Sequence, residues 1–422
     1  MTQSHSPAPG SLHGLLRGGV GIAVATGVMN LTTYGFVLAA ARLLGPVEYG
    51  GVARLMFILL VVGVLSLGLQ ATGARKIAAT PARRGEVEAA VMSASYRSAV
   101  ALGALCLVLT PVIAWMARLD SWTPALMIGL SAVPLTIMGG QSGVLQGERR
   151  WAPLAGIYLG VGLGRFVIGV ALMLVLPTAF GAMLGVTLGA WVPVVPGAYA
   201  LGHVGRGRAA GRQVLDPELV LHEVVANSHA LLAFFALSGV DVLVAGLVLD
   251  AHSAGLYAAG LILTKAVLFL PQAVVVVAFP SMASATERHR VYLKGLALVA
   301  GAGILATLGA VAFSGLAIVF VGGDQYAAIE PYVGLFAALG MVLAMIQLMV
   351  YDVVARQHQR MVFVVWAALV ALACVAPLVD SLTFLITVVI FIDLLLFLVL
   401  LAVSLRRPTP RQAEPAEATS VG

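Results

Sequence analysis

The 24 Lys and Arg residues of this 422-residue chain are distributed in a pattern that few folds tolerate. All but Arg54, Arg97, Arg165 and Lys265 lie in the tails or in the gaps between twelve apolar stretches, at 18–41, 51–72, 89–117, 124–145, 152–176, 179–203, 221–249, 252–280, 295–321, 327–351, 361–379 and 382–405. Most of these stretches are close to the ~20 residues that carry a helix across ~30 Å of hydrocarbon. The gaps alternate. One set holds Arg17, Arg75/Lys76/Arg83/Arg84, Arg149/Arg150, Arg206/Arg208/Arg212, Arg288/Arg290/Lys294, Arg356/Arg360 and Arg406/Arg407/Arg411, and the other only Arg42 and Arg118. Basic loops stay on the cytoplasmic side, so the pattern predicts twelve membrane crossings with both termini cytoplasmic. The opposite turns carry mainly acids: Glu48, Asp120, Asp250, Asp324, Glu330 and Asp380.

A composition of 61% hydrophobic and 10% charged residues agrees, as does a mean hydropathy of +1.03. Both lie far from a soluble average. The net charge of +6 belongs to short loops where topology and anionic lipid headgroups account for it, which excludes a nucleic-acid partner. The longest connection, Val204 to Val220, is shorter than a soluble domain of ~50 residues or more. It divides the spans six and six. The expected organisation is therefore a first six-helix lobe at 1–203, a cytoplasmic linker at 204–220, a second lobe at 221–405 and a cytoplasmic tail at 406–422.

A weak repeat supports the division. Glu48-Tyr-Gly-Gly-Val-Ala-Arg54 aligns with Ser253-Ala-Gly-Leu-Tyr-Ala-Ala259 at an offset of 205. Six spans per half start both halves on the same side, so such a repeat is parallel, related by an axis near the membrane normal. Pro111, Pro134, Pro193, Pro196 and Pro271 are candidate hinges. The ridges Gly156/Gly160/Gly164 and Gly181/Gly185/Gly189 predict close helix packing.

Charge inside the membrane costs ~2.5–3.5 kcal/mol at mid-depth, so it marks a watery cavity or a partner. Arg165 and Lys265 each lie about halfway along a span at ~1.5 Å per residue and are the strongest candidates. Arg54 is a turn from one surface and Arg97 lies in the cytoplasmic third, where either can snorkel to headgroups. Asp241 and Asp393 are the membrane-embedded acids, with Asp352 at the inner end of span ten. Asp241 and Lys265 are placed to pair across the Asp250 turn, as a structural ion pair or an ion-coupling site. Gln141 and Asn227 join the candidate cavity lining, with Asn30, Thr32, Thr33, Tyr34, Gln70, His229 and Gln272 as further polar residues; each also suits an interhelical hydrogen bond.

His222-Glu223 with His229 lacks the four-residue spacing of a metal-binding helix, and no Gly-Lys-Ser/Thr loop occurs. No cofactor or metal is expected. Cys106 and Cys374 fall inside apolar spans, without a disulfide pattern.

Arg42-Leu-Leu-Gly-Pro-Val-Glu-Tyr-Gly50 resembles the first outward turn of bacterial polysaccharide flippases, members of the multidrug/oligosaccharidyl-lipid/polysaccharide (MOP) exporter superfamily. Asp241-Val-Leu-Val-Ala245, Ala254-Gly-Leu-Tyr-Ala-Ala259 and Lys265-Ala-Val-Leu-Phe-Leu-Pro271 resemble its seventh and eighth helices, and Gly143-Val-Leu-Gln-Gly147 the turn after its fourth. The resemblance implies an all-α protein of two six-helix bundles around a central cavity. It implies a plasma-membrane flippase, not an enzyme, that moves a lipid-linked sugar by alternating access for cell-surface polysaccharide synthesis, beside glycosyltransferases and a polymerase. Basic residues inside such a cavity would contact a diphosphate or sugar-acid headgroup. A cation-coupled exporter of drugs or metabolites, centred on Asp241 and Asp393, is the alternative within the superfamily. A membrane glycosyltransferase would need a larger outward loop than any here.

Overall fold

The computed structural model describes residues 12–202, 224, 231–268, 288–355 and 359–406. Among them the chain is helical, with no strand. The helices are α1 (Leu12–Ala79), α2 (Arg84–Val108), α3 (Thr110–Met116), α4 (Thr123–Gly147), α5 (Trp151–Val175), α6 (Ala179–Gly189) and α7 (Val194–Gly202). The second half holds α8 (Leu231–Leu237), α9 (Val240–Val248), α10 (Ala251–Leu268), α11 (Arg288–Ala312), α12 (Ser314–Val321), α13 (Val333–Ala355), α14 (Gln359–Val375) and α15 (Leu382–Arg406). Nine helices among the described residues are long and apolar enough to cross a membrane, and ten if the α8–α9 pair counts as one bent span. The protein is a multi-pass membrane protein.

α1 is two crossings joined at a sharp corner. Its 68 residues would stretch to about 100 Å as one rod. Gly45 interrupts it at φ 72°, ψ 174°, a conformation that glycine adopts without a Cβ penalty. On one side of the corner Tyr34 Oη donates to Ile262 O at 2.9 Å, so the first arm runs along α10, while Pro46, just past the corner, lies against Gly255. On the other, Arg54 lies against Gly246 and Phe57 against Gly239, which carries the second arm along α9, away from the same end. With this corner, the bent pair and the shorter apolar helix Val362–Leu378, every predicted stretch carries helix. Pro111 and Pro193 mark real breaks, between α2 and α3 and between α6 and α7. Pro134 stays inside an unbroken α4, and Pro271 lies outside the described residues.

Glycine sets how closely these helices approach. A Cβ on Gly164 would overlap Gly189 O at 2.7 Å, and one on Gly160 would meet Pro193 Cα at 2.9 Å. The two expected ridges therefore do pack, with Gly185 seated on Gly169. Glu48 of the first turn accepts from Ala179 N at 2.6 Å, an acid on the positive N-terminus of α6.

The ends of the molecule differ. At the end carrying Gly45, Asp250 and Asp324, one apolar core runs through both halves of the chain, from Phe36, Val52 and Leu55 to Tyr257, Tyr326 and Phe336. At the end carrying Arg84, Glu148 and Arg150 there are two cores. One belongs to the first half, around Leu69, Val91 and Leu145, and is joined by Val224; the other belongs to the second half, around Phe234, Ile346 and Phe397. Among the described residues the shared core thus lies at the Gly45 end. There Tyr326 Oη donates to Ala41 O at 2.8 Å and Arg42 Nη2 to Val319 O at 2.6 Å. The closest approach is between Gly50 and Gly255, where a Cβ on Gly50 would stand 2.9 Å from the Gly255 Cα. These two residues are equivalents under the 205-residue offset. Contact between equivalents is what a two-fold axis through that point produces.

Candidate functional site

The interior cations come from helices whose other faces are committed. On α5, Leu163, Val167 and Leu174 are exposed apolar residues. At ~100° per residue they lie ~160–180° around the helix from Arg165, so Arg165 points inward. Tyr158, two turns away, shares its side. Tyr158 Oη accepts from Gln70 Nε2 at 3.0 Å, and the same nitrogen donates to Gln146 Oε1 at 2.9 Å, so this side of α5 carries a polar cluster about 10 Å along the helix from Arg165. Arg165 itself is half-buried and makes no ion pair or hydrogen bond among the described residues.

Lys265 sits in α10 amid buried Leu261, Ile262, Leu263, Thr264 and Val267, yet is itself exposed. One side of α10 is fixed on α1 through Ile262, another on α13 through Thr264 Oγ1, which donates to Phe336 O at 2.8 Å. Lys265 faces the space left between. It forms no salt bridge with Asp241, against the pairing expected from sequence; each acts on the other only at longer range.

Asp241 has a different partner. Tyr257 Oη donates to its Oδ2 at 2.9 Å, and Val242 N to its Oδ1 at 3.0 Å. Asp241 and Asp393 are 4% and 3% exposed and Tyr257 is fully buried. Asp393 is within electrostatic range of both. The span that carries Asp241 is broken just before it, with α8 and α9 bent by 43°. The break falls at Ser238-Gly239, where Ser238 Oγ donates to Phe235 O at 2.9 Å and competes with the helix ladder. Broken membrane helices with a nearby acid suit ion binding. Two dry carboxylates need a proton, a cation or more donors than Tyr257 supplies.

The remaining candidates have other settings. Arg54 is 4% exposed in the contact between the halves, its Nε donating to Ala117 O at 2.7 Å and its Nη1 unpartnered. Arg97 is exposed on α2 beside exposed Tyr96 and Val100. Gln141 is buried; its Nε2 donates to Val194 O at 3.3 Å and its Oε1 has no partner. Asn227 and His229 lie outside the described residues, as does the Asp352 side chain. Sequence reasoning missed Tyr257, whose place in an apolar run gave no polar signal. It also passed over Glu148, whose carboxylate is fully buried between Arg84 Nε and, at 3.5 Å, Arg150 Nη1. Among the described residues no cluster fit for a metal ion occurs.

No family model matches the chain, and no curated protein does. Solved structures match along nearly its whole length. The eukaryotic MATE transporter AtDTX14 has a TM-score of 0.65 at 12% identity, over 92% of this chain and 96% of that one. A multidrug resistance MATE family transporter of the MOP superfamily, in its inward-facing conformation, gives 0.62 at 14%, over 89% and 96%. One in an outward-facing conformation gives 0.51 at 15%, over 93% and 96%. The fold is that of the MATE transporters.

Proposed function

We propose that the protein is a flippase of the cytoplasmic membrane that moves a lipid-linked, polyprenyl-diphosphate oligosaccharide by alternating access, for cell-surface polysaccharide synthesis. The observation that carries this reading is the pair Arg165 and Lys265, two cations within apolar helices with no counter-charge bound to either among the described residues. An unpaired interior cation is costly to keep and is suited to an anion that arrives and leaves. A diphosphate supplies that charge, while its polyprenyl tail can stay in lipid.

The positive-inside pattern puts the Arg84 end in the cytoplasm. In this orientation the end with separate cores among the described residues faces the site of cargo synthesis and the Gly50–Gly255 contact is a closed outer gate. The lobes 1–203 and 221–405 rock about the bound headgroup, and parting of the gate exposes Arg54 as the next cation on the outward side. Glycosyltransferases that build the cargo and a polymerase that consumes it are the expected partners. The test is export of surface polysaccharide in cells. Arg165→Ala and Lys265→Ala are expected to abolish it with normal amounts of protein in the membrane; unimpaired export by both overturns the headgroup site.

A second reading, a cation-coupled exporter of drugs or metabolites, is favoured by Asp241, Tyr257 and Asp393 at the broken span. Resistance to cationic dyes on expression, lost in Asp241→Asn, would select it.

A further inference from the structure

Arg54 is 4% exposed where the two halves meet. Its Nε donates to Ala117 O at 2.7 Å and so caps the C-terminus of α3. That role needs a single donor, and a guanidinium carries five. The surplus faces the joint. A Cβ built on Gly50 would stand 3.4 Å from Arg54 Nη1, and one on Gly246, in the other half, 3.1 Å from it; Nη1 bonds nothing among the described residues. A charged donor shut away without a partner is costly, and here the cost lasts only while the halves are joined. A second arginine follows the capped carbonyl directly. Arg118 is exposed and within electrostatic range of Arg54. It ends α3 at φ 45°, with its own N donating to Trp115 O and Leu119 N to Ala114 O, both at 3.1 Å. A Cβ on Gly51 would meet Leu119 Cδ2 at 3.2 Å, so this turn is laid on the arm of α1 that carries Arg54. Of the acids at this end, Glu48 is taken up by Ala179 N, and Asp120, in the same turn as Arg118, bonds to neither arginine among the described residues.

We infer that Arg54 and Arg118 form a binding site for a phosphoryl anion, closed in this state and completed when the Gly50–Gly255 contact parts. Two guanidiniums with unbonded forked donors match the oxygens of a phosphate or diphosphate, and no bound carboxylate competes for them among the described residues. The site stands apart from Arg165 and Lys265. Of the proposed function, only parting of the halves at this end is needed. Because Nη1 is sealed while the halves are joined, an anion has access to it only in the parted state and draws the balance that way. While the parted fraction is small it should grow about elevenfold at an anion concentration ten times Kd. Free diphosphate and the diphosphate head of a lipid-linked cargo share this chemistry.

The test reads how often the joint opens. Ala41→Cys, fully buried there, is placed in a Cys374→Ser background, since Cys374 is exposed. The full chain is reconstituted in phosphatidylcholine vesicles and labelled with an impermeant maleimide on the Gly45 side. Inorganic diphosphate on that side is expected to speed labelling about tenfold, saturably, and sodium chloride at equal ionic strength is not. Arg54→Gln keeps a donor for Ala117 O and should abolish the response; Arg118→Gln should raise the diphosphate concentration needed at least tenfold. No acceleration by diphosphate, equal acceleration by sodium chloride, or an unchanged response in Arg118→Gln overturns the site, and the last of these decides even where Arg54→Gln fails to fold. Gly255→Ala is the control for parting. If it speeds labelling and diphosphate does not, the halves part and the anion site alone is rejected; if neither does, the site falls with the gate. A polyprenyl diphosphate in the same vesicles separates the sources. Acceleration at lower concentrations than the inorganic anion needs would make the site a station for departing cargo, and acceleration by the inorganic anion alone would make it a regulatory site for anions on that side.

Discussion

Replacing Gly255 by alanine should prise open the contact that holds the halves together. A Cβ there would overlap the Pro46 carbonyl and stand 3.1 Å from the Pro46 Cα, and Gly50 is packed against the same residue. These neighbours are backbone, so no side chain can rotate away, and overpacking of this kind costs about 1–3 kcal/mol. The penalty exists only while the halves are joined. It therefore tilts the balance between joined and parted states by about 5- to 150-fold, at ~1.4 kcal/mol per factor of ten. The reporter is Ala41→Cys, at a position with no exposed surface whose carbonyl takes the Tyr326 hydroxyl. The background is Cys374→Ser, since Cys374 is exposed and Cys106 buried. An impermeant maleimide added on the Gly45 side should label the reporter roughly 5- to 150-fold faster when Gly255→Ala is present. An unchanged rate, with an unchanged unfolding midpoint, would mean that the halves do not part there and would refute the gate.

Three other perturbations have defined outcomes. Asp250 caps α10, its Oδ1 accepting from His252 N and Ser253 N at 3.0 Å each, so Asp250→Ala should cost about 1 kcal/mol in thermal unfolding at neutral pH. The Ser253 hydrogen bonds hold this carboxyl below the usual carboxylate range; a depressed acid stabilises above its unfolded value near ~3.9 and loses that as pH falls through its folded value, so the gap between variant and parent should close below pH ~4. Glu148→Ala removes the buried carboxylate that joins Arg84 of α2 to Arg150, whose Nη2 also donates to Ala200 O of α7 at 3.0 Å. Both arginines are partly exposed, so the loss should stay near 1–2 kcal/mol, read as a lower unfolding midpoint. Tyr257→Phe deletes the donor to Asp241; if that acid couples transport to an ion, gradient-driven transport should fall severalfold while binding of a polyprenyl diphosphate holds.

What was legible in the sequence follows from what one dimension can record. The spans could be read because each must be apolar by itself, whatever it packs on. Arg165 and Lys265 stood out because charge in such a span needs a reason, and neither has a bonded partner among the described residues. The 205-residue offset located Gly50 and Gly255 without revealing that they touch. Partnership was the hidden quantity. Asp241 looked paired with Lys265 by spacing, but the turn of α10 brings Tyr257 to it instead, and a tyrosine in an apolar run looks like core. Arg54 sits close to a span end, the usual signature of snorkelling, yet its guanidinium is buried between Ala117 of its own half and Gly246 of the other. The break before Asp241 has no proline; a Ser-Gly pair produced it, and most such pairs sit quietly in helices.

The most direct test of the central claim is reconstitution into liposomes loaded with a fluorescent polyprenyl-diphosphate oligosaccharide, scoring how much becomes accessible to a sugar-cleaving enzyme outside. The account expects accessibility to rise with the protein and to fall at least tenfold in Arg165→Ala and in Lys265→Ala, with unchanged unfolding midpoints. No rise for any lipid-linked sugar, together with export of a cationic dye that Asp241→Asn abolishes, would contradict it.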